Sequence, residues 1–130
     1  MSKRLGATAI QTALYASIDG GITTSVYDFV PEGTDYPYVV IGEGSGIDGA
    51  SENKDTFGRE ASCQIDIFTR QQGFKEAKDI AEEITALMSS LTITGFSILH
   101  WTPTTHFIRE SDGKTRRVVL DIDFKLDQTS

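Results

Sequence analysis

The last third of the chain places the tightest limit on what this sequence can fold into. Val118, Leu120, Ile122, Phe124 and Leu126 fall on every second position, which puts them on one face of an extended strand. Asp112-Gly113 precedes this strand and is a type I′ turn signal with a second extended run before it. If the two runs fold about that turn, paired residue numbers sum to 225: Phe107 faces Val118, Thr105 faces Leu120 and Trp101 faces Phe124. Pro103 removes one ladder donor, so a bend or bulge is expected there. A final antiparallel hairpin excludes a purely parallel, doubly wound sheet.

Two helices accompany this hairpin. Phe74, Ala77, Ile80, Ala81, Ile84, Leu87, Met88 and Leu91 trace a continuous stripe at spacings of three and four, which predicts an amphipathic helix over 73–91. Burying the large members of that stripe contributes roughly 10 kcal/mol against chain entropy. Ile10, Leu14 and Ile18 predict a first helix over 4–18, stopped by Asp19-Gly20-Gly21. Short strands are expected at 23–27 and 38–41, and a half-buried strand at 60–70, where Ala61, Cys63, Ile65 and Ile67 share a face. Residues 42–58 carry four glycines in the eight positions 42–49 and no periodicity. This stretch reads as a mobile loop or a long exposed hairpin. The order α-β-β-β-α-β-β predicts an α+β fold: a mixed, largely antiparallel sheet of about five strands with two amphipathic helices packed on one face.

Composition narrows the function classes. The chain has 130 residues, enough for one domain with its own core. Its net charge of −7 argues against a dedicated nucleic-acid binder. The single cysteine, Cys63, excludes an internal disulfide and a thiolate zinc cluster. No apolar run is long enough to span a membrane, and no secretory leader is expected from Met1-Ser2-Lys3-Arg4-Leu5.

The motifs that could carry chemistry are weak. Gly44-Ser45-Gly46-Ile47-Asp48-Gly49 matches G-x-G-x-x-G, but that motif needs a helix to begin there and no helical stripe follows. His106 falls diagonal to Asp121 in the hairpin register, without the third and fourth ligands of a metal site. Cys63 sits on an apolar strand face and reads as a small buried hydrophobe. Asp121 and Asp123 share their face with Arg117 and Lys125, a charge-balanced exposed surface rather than an acid–base pair. No catalytic, cofactor or metal residue is assigned. The one unusual charge feature is Arg109 facing Arg116 across the hairpin with Arg117 adjacent, since like charges opposite each other destabilise a strand pair. Glu110 and Asp112, or carboxylates on a partner, are expected to compensate.

Several segments, in order, resemble a known family. These are Val26-Tyr27-Asp28-Phe29-Val30-Pro31-Glu32-Gly33, Tyr36-Pro37-Tyr38-Val39-Val40-Ile41-Gly42-Glu43, Cys63-Gln64-Ile65-Asp66-Ile67-Phe68-Thr69-Arg70, the helix from Gly73 to Leu91, and the hairpin from Arg109 to Leu120. The set spans residues 5–126 and is similar to the phage tail-completion (tail terminator) proteins of long-tailed phages. The resemblance implies a non-enzymatic virion protein, a single domain over 1–130, without cofactor and without a membrane. It implies a hexameric ring on the head-proximal end of the tail tube. The ring stops tube polymerisation and presents a surface to the head-completion (connector) protein, and DNA passes through its channel without specific binding. Assembly would take place in the host cytoplasm. Family members often carry basic residues on the last strand, whereas here Asp121 and Asp123 stand among Arg117 and Lys125. Arg109, Arg116, Arg117, Asp121 and Asp123 are assigned to subunit or partner contact. The docking loop is assigned to Glu43, Ile47, Asp48, Glu52, Lys54, Asp55, Phe57 and Arg59. The alternatives are a neighbouring connector or tail tube protein of the same virion, and a small cytosolic ligand-binding protein or enzyme.

Overall fold

The computed structural model describes residues 7–42, 45–48 and 58–128. Their order is α1 (Ala7–Gly21), β1 (Ser25–Tyr27), β2 (Tyr38–Ile41), β3 (Ser45–Asp48), β4 (Gly58–Thr69), α2 (Lys75–Leu87), a 3-10 turn (Met88–Ser90), β5 (Phe96–Arg109) and β6 (Arg116–Gln128). The strands form one sheet in the order β1-β2-β4-β6-β5, with β3 also paired to β4. β1 and β2 are parallel, and every other pairing is antiparallel. This is the expected α+β class, with one strand more than the sequence announces.

The extra strand lies in the glycine-rich stretch. β2 pairs with residues 65–68 of β4, and β3 with residues 59–62, so the two lie end to end along one side of β4. Gly42 bridges the gap: its N–H donates to the Gln64 carbonyl at 2.9 Å. A Cβ there would come within 3.2 Å of that same oxygen, so glycine suits the close approach. Ser45–Asp48 therefore continues a sheet edge as a hairpin with β4, and no helix begins there. That removes the geometry a dinucleotide loop needs.

One face of the sheet carries the core. Val39, Ile41, Cys63, Ile65, Ile67, Val118, Leu120, Ile122, Phe124 and Leu126 are buried there against Ile10, Leu14 and Ile18 of α1 and Ala77, Ile80, Ala81 and Ile84 of α2. The α2 stripe behaves as its spacing predicts, but the α-helix ends at Leu87. The chain then tightens into the 3-10 turn, where Ser89 and Ser90 donate to the carbonyls of Ala86 and Leu87. α1 differs from expectation. It runs through Asp19-Gly20 to Gly21, and the Ile22 N–H still donates to the Ile18 carbonyl. Tertiary packing explains this: a Cβ on Gly21 would stand 2.6 Å from Leu87 Cδ1, so the glycine serves the close approach of the two helices instead of stopping the first.

The hairpin register is the one expected from the sum of 225, with Phe107↔Val118, Thr105↔Leu120, Trp101↔Phe124 and Arg109↔Arg116 in place. The bulge, however, falls between Ile98 and His100, while Pro103 sits in the ladder opposite Ile122. β5 is an edge strand with β6 on one side only, and an edge tolerates a proline that a central strand would not.

Candidate assembly surface

The sheet face opposite the helices is open, and rows of residues cross it. Tyr27, Val40, Asp66, Val119 and His106 form one row; Ser25, Tyr38, Phe68, Arg117 and Ile108 form the next. Tyr38 stacks on Phe68 with ring centroids 5.1 Å apart, and Tyr27 meets Tyr38 edge-on at 6.2 Å. The Arg117 guanidinium lies 5.6 Å over the Phe68 ring and bonds Asp66 at 3.2 Å, with Glu110 at 3.9 Å. Arg70 lies 4.3 Å over Tyr36. Burial, and then the neighbouring Tyr36, push the Tyr38 phenol above its ordinary pKa. Asp121 and Asp123 lie on this face opposite Thr104 and Thr102. The arrangement is a ladder of aromatic rings and paired charges, suited to binding a surface by shape.

The hairpin tip is fixed by Asp112. One carboxylate oxygen accepts from the backbone N–H groups of Lys114 and Thr115, each at 2.8 Å, and the other accepts from the Thr115 hydroxyl at 2.6 Å. These bonds, with Arg70 nearby, lower the Asp112 pKa to about 2. The two local acids expected to balance the arginines are therefore spent on Arg70 and Arg117. Arg109 and Arg116 have no carboxylate partner among the described residues.

The structure splits the five assigned contact residues between two faces. Arg117, Asp121 and Asp123 lie on the open face, while Arg109 and Arg116 share the parity of the core face at its margin. There Arg109 lies 5.9 Å from the Phe74 ring, Phe74 meets Phe107 edge-on at 5.4 Å, and the Lys78 ammonium sits 5.3 Å over Phe107. Sequence reasoning missed this platform. Its signal was Phe107, an aromatic on core parity close to the tip of the hairpin. In the docking loop, Ile47, Asp48 and Arg59 fall in paired backbone of β3 and β4. Glu43, Glu52, Lys54, Asp55 and Phe57 lie outside the described residues.

Cys63 is buried, and burial followed by the charge of Asp121 pushes its thiol up to about 11. Its Sγ–H donates to the Gly42 carbonyl at 3.5 Å. His100 meets Thr102, and His106 has no hydrogen-bonded carboxylate among the described residues. Among the described residues no group of three metal-binding side chains occurs, and no helix is long and apolar enough to cross a membrane. A groove of about 730 Å³ is lined mainly by Met88, Leu91, Ile93, Leu99 and Trp101, with His100 as its one titratable side chain.

No curated protein matches the chain in sequence. A chain in the virion of a native gene transfer agent particle has the same fold, with a TM-score of 0.75 and 23% identity over 94% of this chain and 96% of that one. The gp17 protein of bacteriophage SPP1 also shares it, with a TM-score of 0.56 and 19% identity over 95% of this chain and 90% of that one. The family model for the tail completion protein gp17 matches residues 3–127, and the chain belongs to that family of structural phage-tail proteins.

Proposed function

We propose that this chain is a tail terminator: a hexameric ring on the head-proximal end of the tail tube. It occupies the growing end, blocks addition of another tube ring and offers its outer surface to the head-completion protein. The observation that carries this reading is the family match over 3–127. The fold supports it in two ways. The domain has two unlike lateral edges, β1 and β5, and a closed ring needs one patch to meet a different patch on the next copy. Its surface is built for contact, with an aromatic and charged sheet face and no catalytic constellation among the described residues. The protein makes and breaks no bond and needs no cofactor. Six copies carry 6 × −7 = −42 charges, and those lining the channel keep DNA from sticking as it passes. The segment 43–58 docks on the tube or the head protein, and Arg117, Asp121 and Asp123 serve contact on the open face.

The test is to mix the protein with its own tail tube protein and image the products. Tubes that stop at a capped end are expected. Polymerisation of the chain by itself into tubes would make it a tube protein, and tubes that grow unchanged would refute the reading.

A further inference from the structure

We propose that the acidic loop 28–35 of one copy docks, through Phe29, on the Phe74–Phe107 platform of the next copy. The inference rests on the ring reading and specifies its contact. It begins with charge. Between Arg4 and Lys54 the chain has no lysine or arginine, and the loop after β1 carries Asp28, Glu32 and Asp35, all exposed. None of the three has an ion-pair partner among the described residues. In their midst stands Phe29, 80% exposed, the most exposed large apolar side chain described.

The complementary surface is at the opposite edge. Phe107 is 46% exposed and is flanked by Lys78, Arg109 and Arg116, none with a carboxylate partner among the described residues. An exposed phenylalanine among unbalanced acids thus faces one way, and an exposed phenylalanine among unbalanced cations faces the other. Each defect is what the other would relieve.

The level also agrees. Val26, Val39, Ile67, Val118 and Phe107 lie in one row across the sheet. Phe29 follows Val26 by three residues, so the loop leaves β1 within about 10 Å of the height of the platform on β5. A rotation about an axis roughly parallel to the strands brings one edge to the other without a large shift along that axis. That is the operation a ring repeats. Aromatic side chains seated beside cations are the usual anchors of such contacts.

Two double variants test it, each measured as the full chain with purified tail tubes, by mass and by electron microscopy of tube ends. Asp28→Lys/Glu32→Lys makes the loop basic; Lys78→Glu/Arg109→Glu makes the platform acidic. Alone, each sets like charges against like, and the concentration needed for assembly should rise about tenfold or more. Mixed one to one, both kinds of contact become complementary again, and an even-membered ring of alternating copies should form at close to the wild-type concentration. All four side chains are exposed, so the melting temperatures of the variants should match wild type, which separates lost contact from lost fold. Either variant assembling alone like wild type overturns the contact. So does a folded mixture that fails to assemble. A wild-type chain that forms no ring on the tubes overturns the ring reading itself, an outcome distinct from both.

Discussion

Arg117→Ala tests whether this arginine serves the fold or a partner. The side chain is 30% exposed and its partner Asp66 only 15%, at 3.2 Å. With an effective dielectric near 20, the gross attraction at 3.2 Å is about 5 kcal/mol. Desolvation of two largely covered charges cancels most of it, leaving a net coupling of about 1–2 kcal/mol. Removing the guanidinium also strands Asp66 with only the Gln64 amide, at 3.0 Å, and uncovers Phe68. The total loss should be about 2–3 kcal/mol. For 130 residues the unfolding entropy is about 0.27 kcal/mol/K, so the melting temperature falls by about 7–11 °C. Asp66→Ala should lose about 1–2 kcal/mol, because Arg117 keeps Glu110 at 3.9 Å. Urea titrations read by far-UV circular dichroism and by the fluorescence of Trp101, the one tryptophan, give both values and that of the double variant. The double loss should fall short of the sum by about 1–2 kcal/mol. Additivity to within about 0.4 kcal/mol would refute the pairing. Arg109→Ala, by contrast, should leave stability within about 0.5 kcal/mol, since that side chain is exposed and has no carboxylate partner among the described residues.

Three further outcomes follow from the same structure. Ile84→Ala empties a fully buried site between helix and sheet and should cost about 2–5 kcal/mol in urea unfolding, while Glu82→Ala on the exposed side of α2 changes stability by less than about 0.5 kcal/mol. Asp112 has its pKa lowered from 3.8 to about 2, so its charge stabilises the fold fully above pH 3.8 and that contribution is lost as pH falls through 2. Asp112→Asn should therefore be less stable than wild type near neutrality, with the gap in melting temperature closing between pH 4 and 2; a gap independent of pH contradicts this role. Cys63 should resist thiol labelling at pH 8 until the chain is unfolded, because the sulfur is 1% exposed and its pKa is about 11.

The legible parts of the fold were those where local pattern and tertiary demand agree. The α2 stripe, the β4 alternation and the hairpin register all rest on periodicity, and each side chain of the stripe lies buried or half-buried. Gly20-Gly21 misled because a glycine permits a stop and a close helix approach equally well, and only Leu87, 66 positions on, distinguishes them. Pro103 misled because edge or centre is a property of strand order, which no local window contains. β3 was hidden by the glycines in and around it: it is held by backbone pairing to β4, and its four residues leave no apolar alternation to read.

The proposed assembly surface was half legible. Opposed arginines were visible in the register, and the structure adds that the local acids are already engaged with Arg70 and Arg117. The platform needed Phe74 and Lys78 from α2 to meet Phe107 and Arg109 from β5, a convergence of elements about 30 residues apart. Phe29 stood in a loop with proline and glycine, where a lone aromatic has no periodicity to mark it.

Tail length in particles made without this gene tests the central claim most directly. If the protein acts by capping, its loss should give tubes of widely scattered length that are not joined to heads, and supplying the chain in trans should restore one length. Tails of normal length on DNA-filled heads in its absence would contradict the account.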